Sequence, residues 1–196
     1  MFYDRKYKRR ENKKKIIECA ANLFLTNGYN NTGINEILLE TDLPKGSFYY
    51  HFKNKKQLAI EVANYFREKM GLWLIDIAKN KTWDKFVEAF MEQIIKDAKE
   101  ESYFGCPFAV LGSEIAFLDS EIANAYSSPM KNLICLFSNV LEFSKLPKKE
   151  AQDKASHAFA LFEGYVIYYR ITKDVKVLET LKEQLLKIYI LESLVN

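Results

Sequence analysis

Apolar residues recur at steps of three and four along almost the whole chain, and only seven Gly and four Pro interrupt its 196 residues. That step keeps side chains on one face of an α-helix, whereas a half-buried strand needs a step of two. The pattern commits the chain to an all-α fold. No alternating stretch is long enough to build a sheet, and there is no internal repeat or low-complexity segment. About nine helices are expected, three short ones packed at the front.

The punctuation places them. A first helix runs from Lys8 to Thr26, with Ile16, Ile17, Ala20, Leu23 and Phe24 inward and Asn27-Gly28 as its stop. Thr32 is the expected cap of a short second helix carrying Ile34, Ile37 and Leu38. A break at Asp42-Leu43 precedes Pro44, which suits the first position of a short third helix through Tyr50. Asn54 caps a long fourth helix, with Gln57 placed as its capping-box partner. Thr82 opens a helix through Lys99, and the Gly105-Cys106-Pro107 corner opens another. Asp119–Phe143 is expected as one helix kinked at Pro129. Two more cover Lys148–Ile171 and Asp174–Leu194.

Charge is unevenly spread. Residues 1–56 hold 12 Lys/Arg against 6 acids, while the remaining 140 residues hold 17 basic and 20 acidic groups. A basic segment on a slightly acidic body is the footprint of a nucleic-acid-binding module, the bland alternative being a solubilising tail. No apolar run is long enough for a membrane span, and the basic N-terminus leads into an amphipathic helix rather than a signal core, so cytoplasmic residence is expected. Cys19, Cys106 and Cys135 are odd in number and widely spaced, which does not suggest a disulfide framework. With two histidines and no CxxC or HExxH, neither a metal nor another cofactor is expected. An enzyme would need a nucleophile, base and orienter or a phosphate-cradling loop, and no such motif occurs. A membrane-surface role for the basic arm and first helix competes less well, because that helix's apolar face is needed for a core.

The order long helix, short helix, turn, short helix between residues 8 and 52 is the layout of a helix-turn-helix, whose second short helix enters the major groove of double-stranded DNA. Here that helix begins Pro44-Lys45-Gly46-Ser47. Gly46 has no side chain to hold the backbone off a phosphate. Lys45 and Ser47 are donors for base edges or phosphates, Tyr49, Tyr50 and His51 add further donors, and Lys55 faces a phosphate from the next helix. The run TGINEILLETDLPKGSFYYHFKNKKQLAIEVANYF, above all GSFYYHFKNKKQL, closely resembles the N-terminal signature of TetR-family regulators. The resemblance covers residues 8–56; the other 140 residues resemble the family in helix count and length. It implies an Ω-shaped homodimer, usually a repressor, that reads a palindromic operator and is released by a small-molecule inducer in the C-terminal domain. It also implies that Thr32, Lys45, Tyr49, His51 and Lys55 touch the DNA backbone and that Ser47 and Tyr50 touch bases. For Phe52 a core role is favoured, and His51 reads equally as a packing residue. The basic arm Arg5–Lys15 is expected to meet phosphates, or else to lie in solution.

The expected division is a DNA-binding domain over 1–56 and a ligand-binding and dimerisation domain over 57–196. Two apolar stripes, Ala155, Ala158, Phe159, Phe162, Tyr165, Val166 and Tyr169, then Leu178, Leu181, Leu185, Ile188 and Tyr189, are candidates for a four-helix dimer interface, with Gly164 allowing close approach. The alternative is that they serve the monomer's own core. For the ligand, Phe86, Phe90, Tyr103, Phe104, Phe108, Phe117, Phe162 and Tyr165 are candidate pocket aromatics, each otherwise plain core. Cys106, just before Pro107 at a helix start, is a candidate reactive thiolate for an oxidant or electrophile, because helix amides lower a thiol's pKa. The Gly-Cys-Pro corner also resembles a branch of the TetR family in which a cysteine here senses such compounds; a buried, inert cysteine is the commoner case. Cys19 and Cys135 read as packing, and His157 as a satisfied core or surface residue.

Overall fold

The computed structural model describes the backbone of residues 2–190 and the side chains of residues 7–189. Among them are nine helices and no strand: α1 (Phe2–Asn27), α2 (Ile34–Thr41), α3 (Lys45–His51), α4 (Lys55–Ala78), α5 (Trp83–Lys99), α6 (Pro107–Ile115), α7 (Ser120–Phe143), α8 (Lys148–Thr172) and α9 (Val175–Ile190). The all-α reading is borne out. The basic arm is the first half of α1, although the side chains of Arg5 and Lys6, like the expected stretch of α9 to Leu194, lie outside the described residues.

Two caps differ from expectation. Gly33, not Thr32, is the N-cap of α2, its N–H donating to the Glu36 carboxylate at 3.2 Å. Thr32 is instead fully buried, and its hydroxyl sits between the carbonyls of Gly28 (2.8 Å) and Leu23 (3.2 Å), which it ties together. Pro44 is the N-cap of α3, one position earlier than expected, and its carbonyl takes the Ser47 N–H at 2.8 Å. Asn54 does cap α4, accepting the Gln57 N–H at 2.9 Å, while Gln57 reaches back to the Lys53 N–H at 2.7 Å. Thr82 opens α5 as its N-cap, its hydroxyl donating to Asp84, and the Trp83 N–H donates to the Ser144 hydroxyl at 2.7 Å.

The chain forms two compact units. The first comprises residues up to 69 together with 110–127. It contains the whole helix-turn-helix segment, the start of α4, most of α6 and the start of α7. Ile16, Ala20, Phe24, Ile37, Phe48, Phe52, Leu58 and Val62 make its core, and the Tyr126 hydroxyl donates to the Ala59 carbonyl at 3.0 Å. Asp42 in the left-handed region ends α2, a conformation in which Asn and Asp are the least strained residues after Gly.

Glu114 secures the loop between α1 and α2. Its carboxylate accepts the N–H groups of Tyr29 (2.9 Å) and Asn30 (2.5 Å). Gly28 permits this approach twice over: its φ is +89°, and a Cβ there would lie 3.2 Å from a Glu114 oxygen. Lys55 closes the loop from the other side, donating to the Tyr29 carbonyl with its ammonium 4.2 Å from the centre of the Tyr29 ring.

The second unit comprises residues 70–109 and those from 128 onward, with α5 and α8 both packed on α9. Its core is aromatic. Phe86 stacks on Phe90 with centroids 5.5 Å apart, Phe90 meets Phe162 at 5.2 Å, and Phe137 sits edge-on to Trp83, Phe86 and Phe90. The Trp83 indole N–H donates to the Leu185 carbonyl at 2.7 Å, so this large ring is buried with its one polar group satisfied. Among the described residues no helix is long and apolar enough to cross a membrane.

Removing the Glu114 carboxylate strands two loop amides. Glu114→Ala should lower unfolding stability by about 2 kcal/mol, read from urea unfolding at fixed protein concentration. An unchanged midpoint would mean that water replaces the carboxylate at no cost.

Candidate functional site

In the first unit, α3 turns Phe48 into the core and leaves Lys45, Gly46, Tyr49 and Tyr50 exposed, with Ser47 half-buried at the margin. The one-turn repeat of Phe48 and Phe52, both fully buried, fixes which face points outward. Nothing lies within 4 Å of the space a Gly46 Cβ would fill, so the backbone there is open to a close partner. Lys45 lies over the Tyr49 ring at 6.0 Å. Arg9 of α1 donates to the Tyr50 hydroxyl at 2.9 Å with its guanidinium 4.6 Å from the ring centre, bringing the basic half of α1 to the α3 surface.

The other expected contact residues are placed differently. Thr32 has no exposed surface, and its hydroxyl holds the α1–α2 loop. His51 is half-buried against α1: burial, then the Lys13 and Arg9 charges, push its pKa below the ordinary histidine value, and it bonds the Arg9 backbone. It thus packs between α3 and α1. Lys55 is half-buried with one donor spent on Tyr29, and burial lowers its pKa. Sequence reading missed Arg9, which was one cation among many in the arm, and Glu114, because no local signal announces a carboxylate 84 residues away.

In the second unit, Phe86, Phe90 and Phe162 are core, packed on one another. Phe108 is buried, Tyr103, Phe104 and Tyr165 are half-buried, and Phe117, in the first unit, is 95% exposed and so lines no cavity. Tyr103 and Tyr169 pair at 5.8 Å. Cys106 is 2% exposed, which weighs against the reactive-thiolate expectation. Burial pushes its pKa well above the usual thiol value, and the neighbouring Glu163 carboxyl pushes the same way. The amides of Phe108 and Ala109 do bond the sulfur and pull downward, as expected of a helix start, but desolvation outweighs them. Glu163 itself is 8% exposed, and burial holds its pKa at about 7. The Cys106 thiol only grazes it: its weak contact lowers the pKa slightly, yet neither carboxyl oxygen has a hydrogen bond of normal geometry. Cys19 is half-buried, whereas Cys135, expected in packing, is exposed on α7. His157 is exposed.

Most of the apolar stripes of α8 and α9 is buried inside this unit (Ala155, Ala158, Phe162, Val166 and Tyr169, with Leu178, Leu181, Leu185 and Ile188), while Phe159 and Tyr165 are half-buried and Tyr189 is exposed. The alternative of a monomer core therefore holds for the buried residues. The unburied apolar row is the opposite face of α8, where Ala160, Gly164, Ile167, Tyr168 and Ile171 are exposed, Ile171 by 77%.

A helix-turn-helix with an exposed, donor-bearing second helix, in a chain that also carries a second helical unit, defines the class of DNA-binding transcriptional regulators. The comparisons with known proteins agree. Residues 16–62 match the model of the bacterial regulatory proteins of the tetR family, and residues 85–184 match the LmrA/YxaF-like C-terminal domain of transcriptional regulators. The chain belongs to the TetR family of transcriptional regulators. It is 31% identical to the HTH-type transcriptional regulator YxaF of Bacillus subtilis, over 90% of this chain and 94% of that protein. It is 22% identical to the HTH-type transcriptional repressor NemR of Escherichia coli, over 89% and 92%. The crystal structure of reduced NemR superposes with a TM-score of 0.80 at 19% identity, covering 89% of this chain and 95% of that one, a likeness of fold.

Two measurements check the site. Because its folded pKa lies above the ordinary 4.5, Glu163 contributes stability fully below that value and loses it as pH rises through about 7. The advantage of Glu163→Gln over wild type in urea unfolding should therefore grow by about 2.5 kcal/mol from pH 5 to pH 8; parallel pH profiles would contradict the buried, unpaired carboxyl. Under native alkylation followed by mass spectrometry, Cys135 should react roughly tenfold or more faster than Cys106, and equal rates would restore Cys106 as a reactive thiol.

Proposed function

We propose that this regulator is a homodimeric repressor that binds a palindromic operator through α3 and lets go when a small molecule occupies the second unit. The observation that carries the reading is the exposed face of α3, with Lys45, Gly46, Tyr49 and Tyr50 outward and Arg9 drawn beside them. Lys45, Ser47 and Tyr50 are the base- and phosphate-reading donors in this account, and Tyr49 and Arg9 position them on the backbone. Thr32, His51 and Lys55 act behind them by holding α3 and the loop in place. The functional division falls between residues 1–56, which read DNA, and 57–196, which take the ligand and dimerise, in the cytoplasm.

Two chains meet across the outward row of α8, where Gly164 leaves room for close helix approach and Ile167, Tyr168 and Ile171 supply apolar area. Twofold pairing matches two half-sites about one DNA turn apart. That the similar protein NemR is named a repressor supports the direction of control. The inducer binds non-covalently in this account, since the Cys106 thiol is kept protonated by burial.

Fluorescence anisotropy on DNA from upstream of the protein's own gene tests the reading. Specific binding should weaken steeply with salt. Lys45→Ala should lose roughly tenfold in affinity while keeping wild-type stability, consistent with the loss of one charged DNA contact. Equal affinity of wild type for this DNA, for genome-selected fragments and for random duplex would overturn the reading.

A further inference from the structure

Among the described residues of the second unit, one buried side chain is left without a hydrogen-bond partner. Glu163 lies on α8 next to Phe162, which is buried against Phe90, and acts electrostatically on Tyr103, which pairs with Tyr169. Its carboxyl is more than nine-tenths buried, and both oxygens lack a hydrogen-bond partner. The groups that would ordinarily neutralise it are turned elsewhere. The first amides of α6 are taken by the Cys106 sulfur, and the next cation along α8, Arg170, donates to the Phe104 carbonyl. A buried carboxyl without a partner destabilises the protein that carries it. The arrangement makes physical sense when the partner arrives from outside.

We propose that Glu163 is the recognition carboxyl for the inducer, and that the inducer class is an aromatic organic cation, such as a protonated arylalkylamine or an amidinium. This rests on the reading of the second unit as the ligand-binding part. Chemistry selects the class. An acceptor-only carboxylate in an apolar setting is complemented by a charged donor, and the faces of Tyr103, Tyr169 and Phe162 favour both an aromatic body and a positive charge. The irregular stretch 102–106 follows Glu101, contains Gly105, both in left-handed backbone, and carries Tyr103. A neutral ligand of the same shape would leave the carboxyl as unpaired as before, so the site discriminates by charge.

The test compares two probes of equal size, 2-naphthylmethylamine and 2-naphthylmethanol, by isothermal titration of the full chain at pH 7.5, a chosen value near neutrality. Wild type should bind the amine at least tenfold more tightly than the alcohol, about 1.4 kcal/mol. In Glu163→Gln the two affinities should converge through loss on the amine side alone. Circular dichroism and operator binding, both expected at wild-type level, establish that this variant is folded, and Glu163→Asp, which keeps the charge, should retain a preference for the amine. Equal affinities in wild type, absence of amine binding at millimolar concentration, or a preference that survives in folded Glu163→Gln would each overturn the proposal. A charge preference that depends on Glu163 in a protein that does not bind DNA would support the cation site while refuting the regulator reading.

Discussion

The reading head depends on a carboxylate that sits outside its helix-turn-helix. Glu114 holds the two amides that begin the α1–α2 loop, and the loop's other polar groups are satisfied around it by Lys55 on the Tyr29 carbonyl and Thr32 on those of Gly28 and Leu23. The six residues of irregular backbone between α1 and α2 are thereby held in place. The direction in which α2 and α3 leave that loop follows, and with it the exposure of Lys45, Tyr49 and Tyr50. A loop fixed by charge-assisted bonds to one distant side chain is rigid while that side chain stays and loose when it moves. α6, which carries Glu114 near its end, begins at Pro107 beside Cys106.

The second unit solves a different problem. Its aromatic residues bury a large area in few helices, and Trp83 and Ser144 settle their polar atoms within the core. Against that economy, the unpaired carboxyl of Glu163 stands out as a group retained at a cost in stability. Protein cores rarely keep such a group without a use for it. Cys106, the residue that draws attention in the sequence, is better understood as the cap of α6, whose sulfur occupies the amides and so leaves the carboxyl beside it uncompensated.

Much of the fold was legible because the signals that set it are local. The period of three and four gave the helices, Gly28 and Asn54 their limits, and the GSFYYHFKNKKQL run the head and its family. What was not legible came from pairing at long range. Thr32 and Lys55 carry residue types that suit phosphates, and only the positions of Leu23 and Tyr29 show that their polar atoms are turned inward. The apolar stripe of α8 was visible, but a stripe cannot say whether its partner is α9 of the same chain or a second copy; burial of Ala155, Phe162 and Val166 assigns it to the chain's own core. The same limit hid Cys106: a helix start predicts a lowered thiol pKa, and burial of the sulfur reverses it, with Glu163, 57 residues on, pushing the same way.

The central claim is that this chain presents paired α3 helices to the two halves of one DNA site. Selection of bound fragments from sheared genomic DNA by the purified protein, followed by sequencing, tests it most directly. The account predicts enrichment of an inverted repeat whose half-sites are centred about one helical turn, or a multiple of it, apart. Fragments enriched only for length or base composition, with no repeated half-site, would contradict it.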